Sequence, residues 1–341
     1  MTAQEFDPAR QPAPVLLAGR NLTKHYSLRR RRGDTGPRRL VHAVDDVTIE
    51  LRAGEIVALI GESGSGKSTV ARLLAQLQRQ TSGEVYLRGE AVRAWRARGL
   101  RRYCRSVQYV FQDPFASLNP VHSIRHHLVR PLRLHDSPAD LDGRLAELLE
   151  LVHLTPAEHY LPKFPHELSG GQRQRVVIAR SLALDPAVLL ADEPVSMLDV
   201  SIRLGILNLL AELQEKRGIA ILYVTHDMAS ARYFARTSLV MYAGQLVEGG
   251  PSETVVRSPA HPYTRLLLDS APDPDRLAGQ RRLRVAGEPV SQVNPGPGCR
   301  FQHRCPDVMD RCRIDDPPSF DLGSGQWARC WLHEGAGPQT S

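Results

Sequence analysis

Residues 61–69 read Gly-Glu-Ser-Gly-Ser-Gly-Lys-Ser-Thr, a full match to G-x-x-x-x-G-K-[ST]. Glycines at 61, 64 and 66, between Glu62, Ser63 and Ser65, let the backbone curl so that successive N–H groups face phosphate oxygens. Lys67 can reach β- and γ-phosphates, and the hydroxyl of Ser68, beside Thr69, can ligate Mg²⁺. Further along, Asp192 and Glu193 close an apolar run, Asp192 suited to holding Mg²⁺ and Glu193 to polarising a water for in-line attack. His226 ends another apolar run, where it can sense a γ-phosphate. Leu168-Ser169-Gly170-Gly171-Gln172 opens a helix, a second phosphate cradle. One nucleotide loop with two cradles suits a head-to-tail dimer in which each cradle covers the other chain's nucleotide.

The elements around these residues read as alternating strands and helices. Residues 55–60 are a buried strand before the glycine loop, and 70–77 carry apolar residues at helical spacing after it. A strand is expected over 15–26 with a turn at 19–21, and another over 41–51. Tyr26, at a strand end, can stack on a purine base or sit half-buried. Residues 85–87 and 107–112 are β-rich, the latter ending at Gln112 before Asp113-Pro114. Residues 124–154 read as mainly helical, 174–184 and 200–218 as helices, 188–192 and 219–224 as strands, and 238–248 as a closing hairpin. The alternation predicts an α/β sandwich around a mostly parallel sheet.

The chain has 341 residues, 42% hydrophobic and 24% charged, with no run near the roughly 18 apolar residues of a membrane span. Residues 1–14 read as a loose end without a signal peptide, so a cytoplasmic protein is expected. The net charge is +7. Scattered arginine explains it better than a nucleic-acid surface, because the one dense basic stretch, 27–39, has no interleaved aromatic residues. That insertion reads as a hairpin tip or loop, either solvated or touching phosphate, acidic lipid or a partner. From about 271 the composition turns to proline, arginine and glycine, and Cys299, Cys305, Cys312 and Cys330 follow. Without a secretion signal these suggest ligation rather than disulfides. Five, six and seventeen intervening residues are not the short spacing of common zinc sites, which weakens Zn²⁺ and leaves a [4Fe–4S] cluster or plain free thiols beside it. Cys104 reads as a plain buried thiol.

The glycine loop, Gln112, residues 168–172, Asp192-Glu193, Leu198-Asp199 and His226, in that order, resemble the ATP-binding subunit of an ABC transporter. The resemblance implies a P-loop nucleotide-binding domain over 15–270. It has a RecA-like core, an antiparallel β subdomain and a helical subdomain at about 114–168, followed by a small extension over 271–341. It implies that Tyr26 stacks on adenine and that Ser68, Gln112 and Asp192 serve Mg²⁺. Glu193 would be the catalytic base, with His226 and Gln112 beside it and Gln112 coupling the nucleotide to the membrane partner. Ser169 and Gly171, with Gly170 and Gln172, would meet the γ-phosphate across a dimer, and Asp199 would lie between protomers. Met197 stands where the family usually has a small residue, and Ala191 where it often has a bulkier one.

Residues 111–114 and 117–120, His261-Pro-Tyr-Thr264, Gly298-Cys-Arg-Phe301 and Arg304-Cys-Pro306 are similar to the oligopeptide/dipeptide and nickel uptake branch. That branch implies two membrane permeases, a second ATP-binding subunit (hetero- or homodimeric), an extracytoplasmic solute-binding protein, and a place on the inner face of the membrane. Some of its members carry an iron–sulfur cluster on similar cysteines. A peptide exporter on the same ATPase is an alternative. A soluble ABC-type ATPase on nucleic acid or ribosomes fits less well, since the chain has one glycine loop and no heptad run.

Overall fold

The apolar run before the glycine loop is strand β3 (Ile56–Ile60), and all five of its residues are buried. Side chains alternate across a strand, so a fully buried strand must feed two cores. Ile56, Ala58 and Ile60 join one apolar cluster, which includes the helices of residues 114–182. Val57 and Leu59 join the other, with Leu17, Val44, Ile49 and the helix after the loop. The computed structural model describes residues 13–28, 39–93, 97–135, 138–270 and 292–335. Most of the basic insertion and residues 271–291 therefore lie outside the described residues, as do residues 1–12.

Two sheets carry the fold. The smaller is antiparallel, in the order β2-β1-β4-β5, from β1 (Val15–Ser27), β2 (Leu40–Arg52), β4 (Ser82–Leu87) and β5 (Glu90–Ala91). The turn expected at 19–21 is not a break. β1 runs unbroken for 13 residues, with its register against β2 shifted between Gly19 and Leu22. Asn21 takes the left-handed conformation there (φ 50°) and donates from Nδ2 to Asp46 Oδ1 at 2.7 Å, so the irregularity is a bulge stabilised by its own side chain.

The larger sheet adds β6 (Val107–Val110), β7 (Val188–Asp192), β8 (Ala220–Thr225), β9 (Thr237–Tyr242), β10 (Gln245–Pro251), β11 (Phe320–Asp321) and β12 (Trp327–Ala328). Its order is β11-β12-β10-β9-β3-β8-β7-β6. The five strands from β9 to β6 are parallel, and β10 returns antiparallel to β9 as the closing hairpin. β12 then pairs with β10, Glu248 opposite Ala328, so the C-terminal extension adds two strands to the core sheet. Glu248 is fully buried and welds this seam. It accepts from the Ala260 and His261 N–H groups and from Gln326 Nε2, each at 2.9 Å.

The helical reading needs three adjustments. Residues 124–154 form two helices, Ile124–His135 (with Pro131 inside it) and Leu141–Leu151. The helix expected to open at residues 168–172 does begin there, at Gly170 with Ser169 as its cap, but it ends at Leu182 rather than Leu184. A helix at Ala97–Ser106 precedes β6, and the Cys104 thiol on it is half-buried. Among the described residues, no helix is long and apolar enough to cross a membrane.

Candidate functional site

β3, β8, β7 and β6 are parallel neighbours, so their C-terminal ends form one edge, where ligands bind in such sheets. The glycine loop leaves β3 there. Gly66 has φ 110°, and a Cβ on it would stand 2.2 Å from Ala43 O, so no other residue fits without moving β2. The helix Lys67–Leu74 begins with no side-chain cap, which leaves its first-turn N–H groups free for an anion. Ser65 Oγ is buried in the loop without a hydrogen-bond partner. Lys67 is 4% exposed, and its Nζ donates to Gly61 O (2.8 Å) and Glu62 O (2.9 Å). Burial pushes its pKa down, against the opposing pull of Glu193, Asp192 and Glu62. The loop thus offers free donors and an ammonium held at its mouth.

The acids complete the edge. Asp192 is buried, and its Oδ1 accepts from Ser68 Oγ at 2.8 Å. This hydroxyl–carboxylate pair is a donor set suited to Mg²⁺. The second oxygen, Oδ2, accepts from Tyr109 OH at 2.6 Å. Glu193 follows with φ 45°, a left-handed conformation uncommon outside glycine, and its N–H donates to Val224 O at 3.0 Å. The Glu193 side chain meets residues that follow β6 and β8. Gln112 Nε2 donates to Glu193 Oε2 at 3.0 Å, and His226 Nδ1 stands 3.6 Å from the same oxygen. Gln112 therefore meets Glu193 rather than the Ser68–Asp192 pair.

The remaining candidates stand apart. Ser169 and Gln172 form a reciprocal capping box, Gln172 N–H to Ser169 Oγ (3.3 Å) and Ser169 N–H to Gln172 Oε1 (3.0 Å). Gly171 packs against the helix Val200–Arg217, where a Cβ would stand 2.6 Å from Ile202 Cγ2. Asp199 begins that helix, exposed and without capping it. Tyr26 is half-buried, with its hydroxyl donating to Gln78 and the Lys24 ammonium 5.0 Å from its ring centre. All four tail cysteines line one apolar cavity together with Phe301 and Trp331.

The roles of several residues at these sites went unread in the sequence. Tyr109 is one, a single hydroxyl in an apolar strand beside β7. Tyr263 and Arg304 both bond Glu62 of the glycine loop. His25, His42 and Asp45 place one ligand atom each within 4.8 Å of one another. Arg300 already donates to Asp45, so this trio is a charge-balanced brace rather than a cation site. Burial opposes the Asp45 charge, but hydrogen bonds from His25, Arg300 and His42 outweigh it and hold the pKa down at about 2.

Known proteins match this arrangement. The ABC transporter family model matches residues 44–196, and the model for the oligopeptide/dipeptide transporter C-terminal region matches 247–312. A putative oligopeptide transport ATP-binding protein of Bacillus subtilis is 41% identical over 308 residues, covering 89% of this chain and 93% of the relative. A putative peptide import ATP-binding protein of Brucella abortus is 44% identical over 306 residues, 87% and 89% of the two chains.

The chain belongs to the ATP-binding subunits of ABC transporters, in the oligopeptide/dipeptide branch. A dimeric ATP-binding cassette in a post-hydrolysis state with ADP and phosphate superposes with a TM-score of 0.60 at 30% identity, over 70% of this chain and 99% of that one. A cassette of an ABC transporter complex from Clostridium perfringens gives 0.62 at 27% identity, over 72% and 92%. As an ABC ATP-binding subunit the chain is an ATPase, and the first family match spans both the glycine loop and Asp192-Glu193.

The Tyr109 hydroxyl orients the Asp192 carboxylate from behind. Tyr109→Phe is expected to raise the Mg²⁺ concentration for half-maximal ATPase activity by about tenfold, the usual scale for losing such a supporting bond. An Mg²⁺ titration of purified protein checks this; an unchanged midpoint contradicts it.

Proposed function

We propose that this chain is the ATP-hydrolysing subunit of a peptide importer, mounted on the inner face of the membrane. It would work with a second ATP-binding subunit and two membrane-spanning permease subunits, supplied by an extracytoplasmic solute-binding protein. The observation that carries this reading is the joining, in one chain, of a complete ATPase edge to an oligopeptide-type C-terminal region. The Brucella abortus relative is named as a putative peptide import protein, which favours uptake over export.

The residues divide the work. The glycine-loop N–H groups and Lys67 bind the β- and γ-phosphates. The Ser68 hydroxyl and Asp192 carboxylate are the donors for Mg²⁺, which when bound neutralises phosphate charge. Glu193 holds the attacking water and accepts its proton. Gln112 holds Glu193 Oε2 by a hydrogen bond and His226 stands beside the same oxygen, so that the carboxylate is oriented before ATP arrives. The face bearing Ser169 and Asp199 would meet the second ATP-binding subunit, and Tyr26 would cover the adenine.

For the tail, a [4Fe–4S] cluster is the better fit. All four cysteines face one cavity. Burial pushes the Cys299 thiol up to about 12 and the Cys305 thiol up to about 11, so a bound cation is what would keep them as thiolates. Cys299, Cys305, Cys312 and Cys330 would hold the cluster, which would staple the extension.

Three measurements test these assignments. A tagged pull-down from detergent-solubilised membranes is expected to recover two multi-span permeases and a second ATP-binding subunit; recovery of ribosomes or nucleic acid without membrane chains contradicts the importer. Glu193→Gln is expected to keep ATP binding and lower turnover by about 10²-fold or more, and full residual activity removes Glu193 as the base. Anaerobically purified protein is expected to be brown, absorbing near ~400 nm with ~4 iron atoms per chain. Colourless protein with stoichiometric zinc would refute the cluster.

A further inference from the structure

The segment that carries the cysteines also grips the glycine loop. Arg304 stands between Cys299 and Cys305. Its Nη1 and Nη2 donate to Glu62 Oε2 and Oε1 at 2.8 and 2.9 Å, a bidentate pair. The Arg304 side chain is 9% exposed, with its Cζ 5.9 Å from the ring centres of both Tyr242 and Phe301. The Tyr263 hydroxyl accepts from the Glu62 N–H at 2.9 Å. Gln292 Nε2 donates to Gly64 O at 2.7 Å. Arg300 donates to Ala243 O, and the next residue, Gly244, donates its N–H to Ser65 O at 2.8 Å. Three loop residues in a row of four are therefore held by atoms from beyond β9.

Glu62 makes this grip more than packing. It places a carboxylate inside the loop that must receive the negative charges of a triphosphate. Left alone, that carboxylate repels the phosphates and is free to swing, taking the loop N–H groups with it. The guanidinium cancels the charge and fixes both carboxylate oxygens at once, which a lysine ammonium cannot do. Tyr263, fully buried, fixes the backbone of the same residue.

We propose that Arg304, assisted by Tyr263, is a positioning residue for nucleotide binding. Through Glu62 it holds the glycine loop in its phosphate-receiving shape and removes a like charge from it. The C-terminal extension thereby sets the affinity for ATP. The proposal rests on the glycine loop being the nucleotide site.

The test is a titration of full-length variants with a fluorescent ATP analogue, together with steady-state ATPase kinetics. Arg304→Ala is expected to raise the dissociation constant and KM about tenfold while kcat changes less than about twofold, the pattern of lost ground-state binding. Adding Glu62→Gln to Arg304→Ala should restore most of the affinity, because the orphaned carboxylate is gone. A purely structural role for Arg304 predicts no such recovery. Should Arg304→Ala fail to fold, Arg304→Lys (charge kept, fork lost) and Tyr263→Phe (one hydroxyl lost) carry the test, each expected to weaken binding a few-fold. An unchanged dissociation constant in folded Arg304→Ala or in both milder variants overturns the proposal, as does a double variant no better than the single. Lys67→Ala in parallel separates the two readings. If it binds the analogue like the parent, the loop is not the nucleotide site and the proposal falls with it. If it loses binding while the Arg304 and Tyr263 variants do not, the proposal alone fails.

Discussion

The Asp192 carboxylate, 2% exposed at the end of β7, is the charge that the ATPase edge is built around. A buried carboxylate is costly unless hydrogen-bonded and faced by opposite charge. Here Ser68, from the helix after β3, takes one oxygen, and Tyr109, from β6, takes the other. Those elements lie on opposite sides of β7 in the sheet order, with β8 between β7 and β3. One side chain therefore ties the glycine loop to the far edge of the parallel sheet. The buried ammonium of Lys67 supplies opposing charge, and Glu193 and Asp192 work to raise its pKa against the lowering by burial. Glu193 inherits its position from this arrangement, since the strand that buries Asp192 ends in the left-handed residue that aims Glu193 at Gln112 and His226.

The second feature is that the extension belongs to the same structure. β12 extends the main sheet through β10, and Glu248 bonds both the helix start at His261 and Gln326 of the extension. His261 itself is buried, which drives its pKa down to about 3 and leaves its Nδ1 free to accept from the Tyr263 N–H. Tyr263 in turn bonds the glycine loop. A chain of hydrogen bonds thus runs from Gln326, the residue before β12, to Glu62. A tail too small to fold alone gains its order from the core, and the core's phosphate loop gains supports that a bare cassette would need to find elsewhere.

The parts that were legible in the sequence are those governed by local rules. The strand–loop–helix around Lys67, the apolar run ending at Asp192, and the hairpin at 237–251 all follow from periodicity and glycine spacing. What was misread depended on a single side chain with a local alternative. Asn21 converts an apparent turn into a bulge. What was not legible at all depended on long-range pairing. Arg304 and Glu62 are 242 residues apart, and Tyr109 and Asp192 are 83 apart; neither pair leaves a periodic trace. A tyrosine in an apolar strand and an arginine among cysteines are ordinary until the fold brings their partners to them.

The two phosphate cradles differ in a way that explains why one chain would need another. The helix at Lys67 has no side-chain cap, so its free N–H groups have nothing to displace when phosphate arrives. The helix at Gly170 is already capped, Ser169 and Gln172 satisfying one another. That box occupies the Gln172 N–H and leaves the Gly170 and Gly171 N–H groups outside it, with Gly171 itself buried against Ile202 of the Val200–Arg217 helix. A capped turn holds its shape without ligand but has too few free donors to bind phosphate by itself. It is suited to closing over a triphosphate that is already seated elsewhere. On the proposed function, the uncapped cradle would bind first and the capped one complete the enclosure, so hydrolysis would wait on a second subunit.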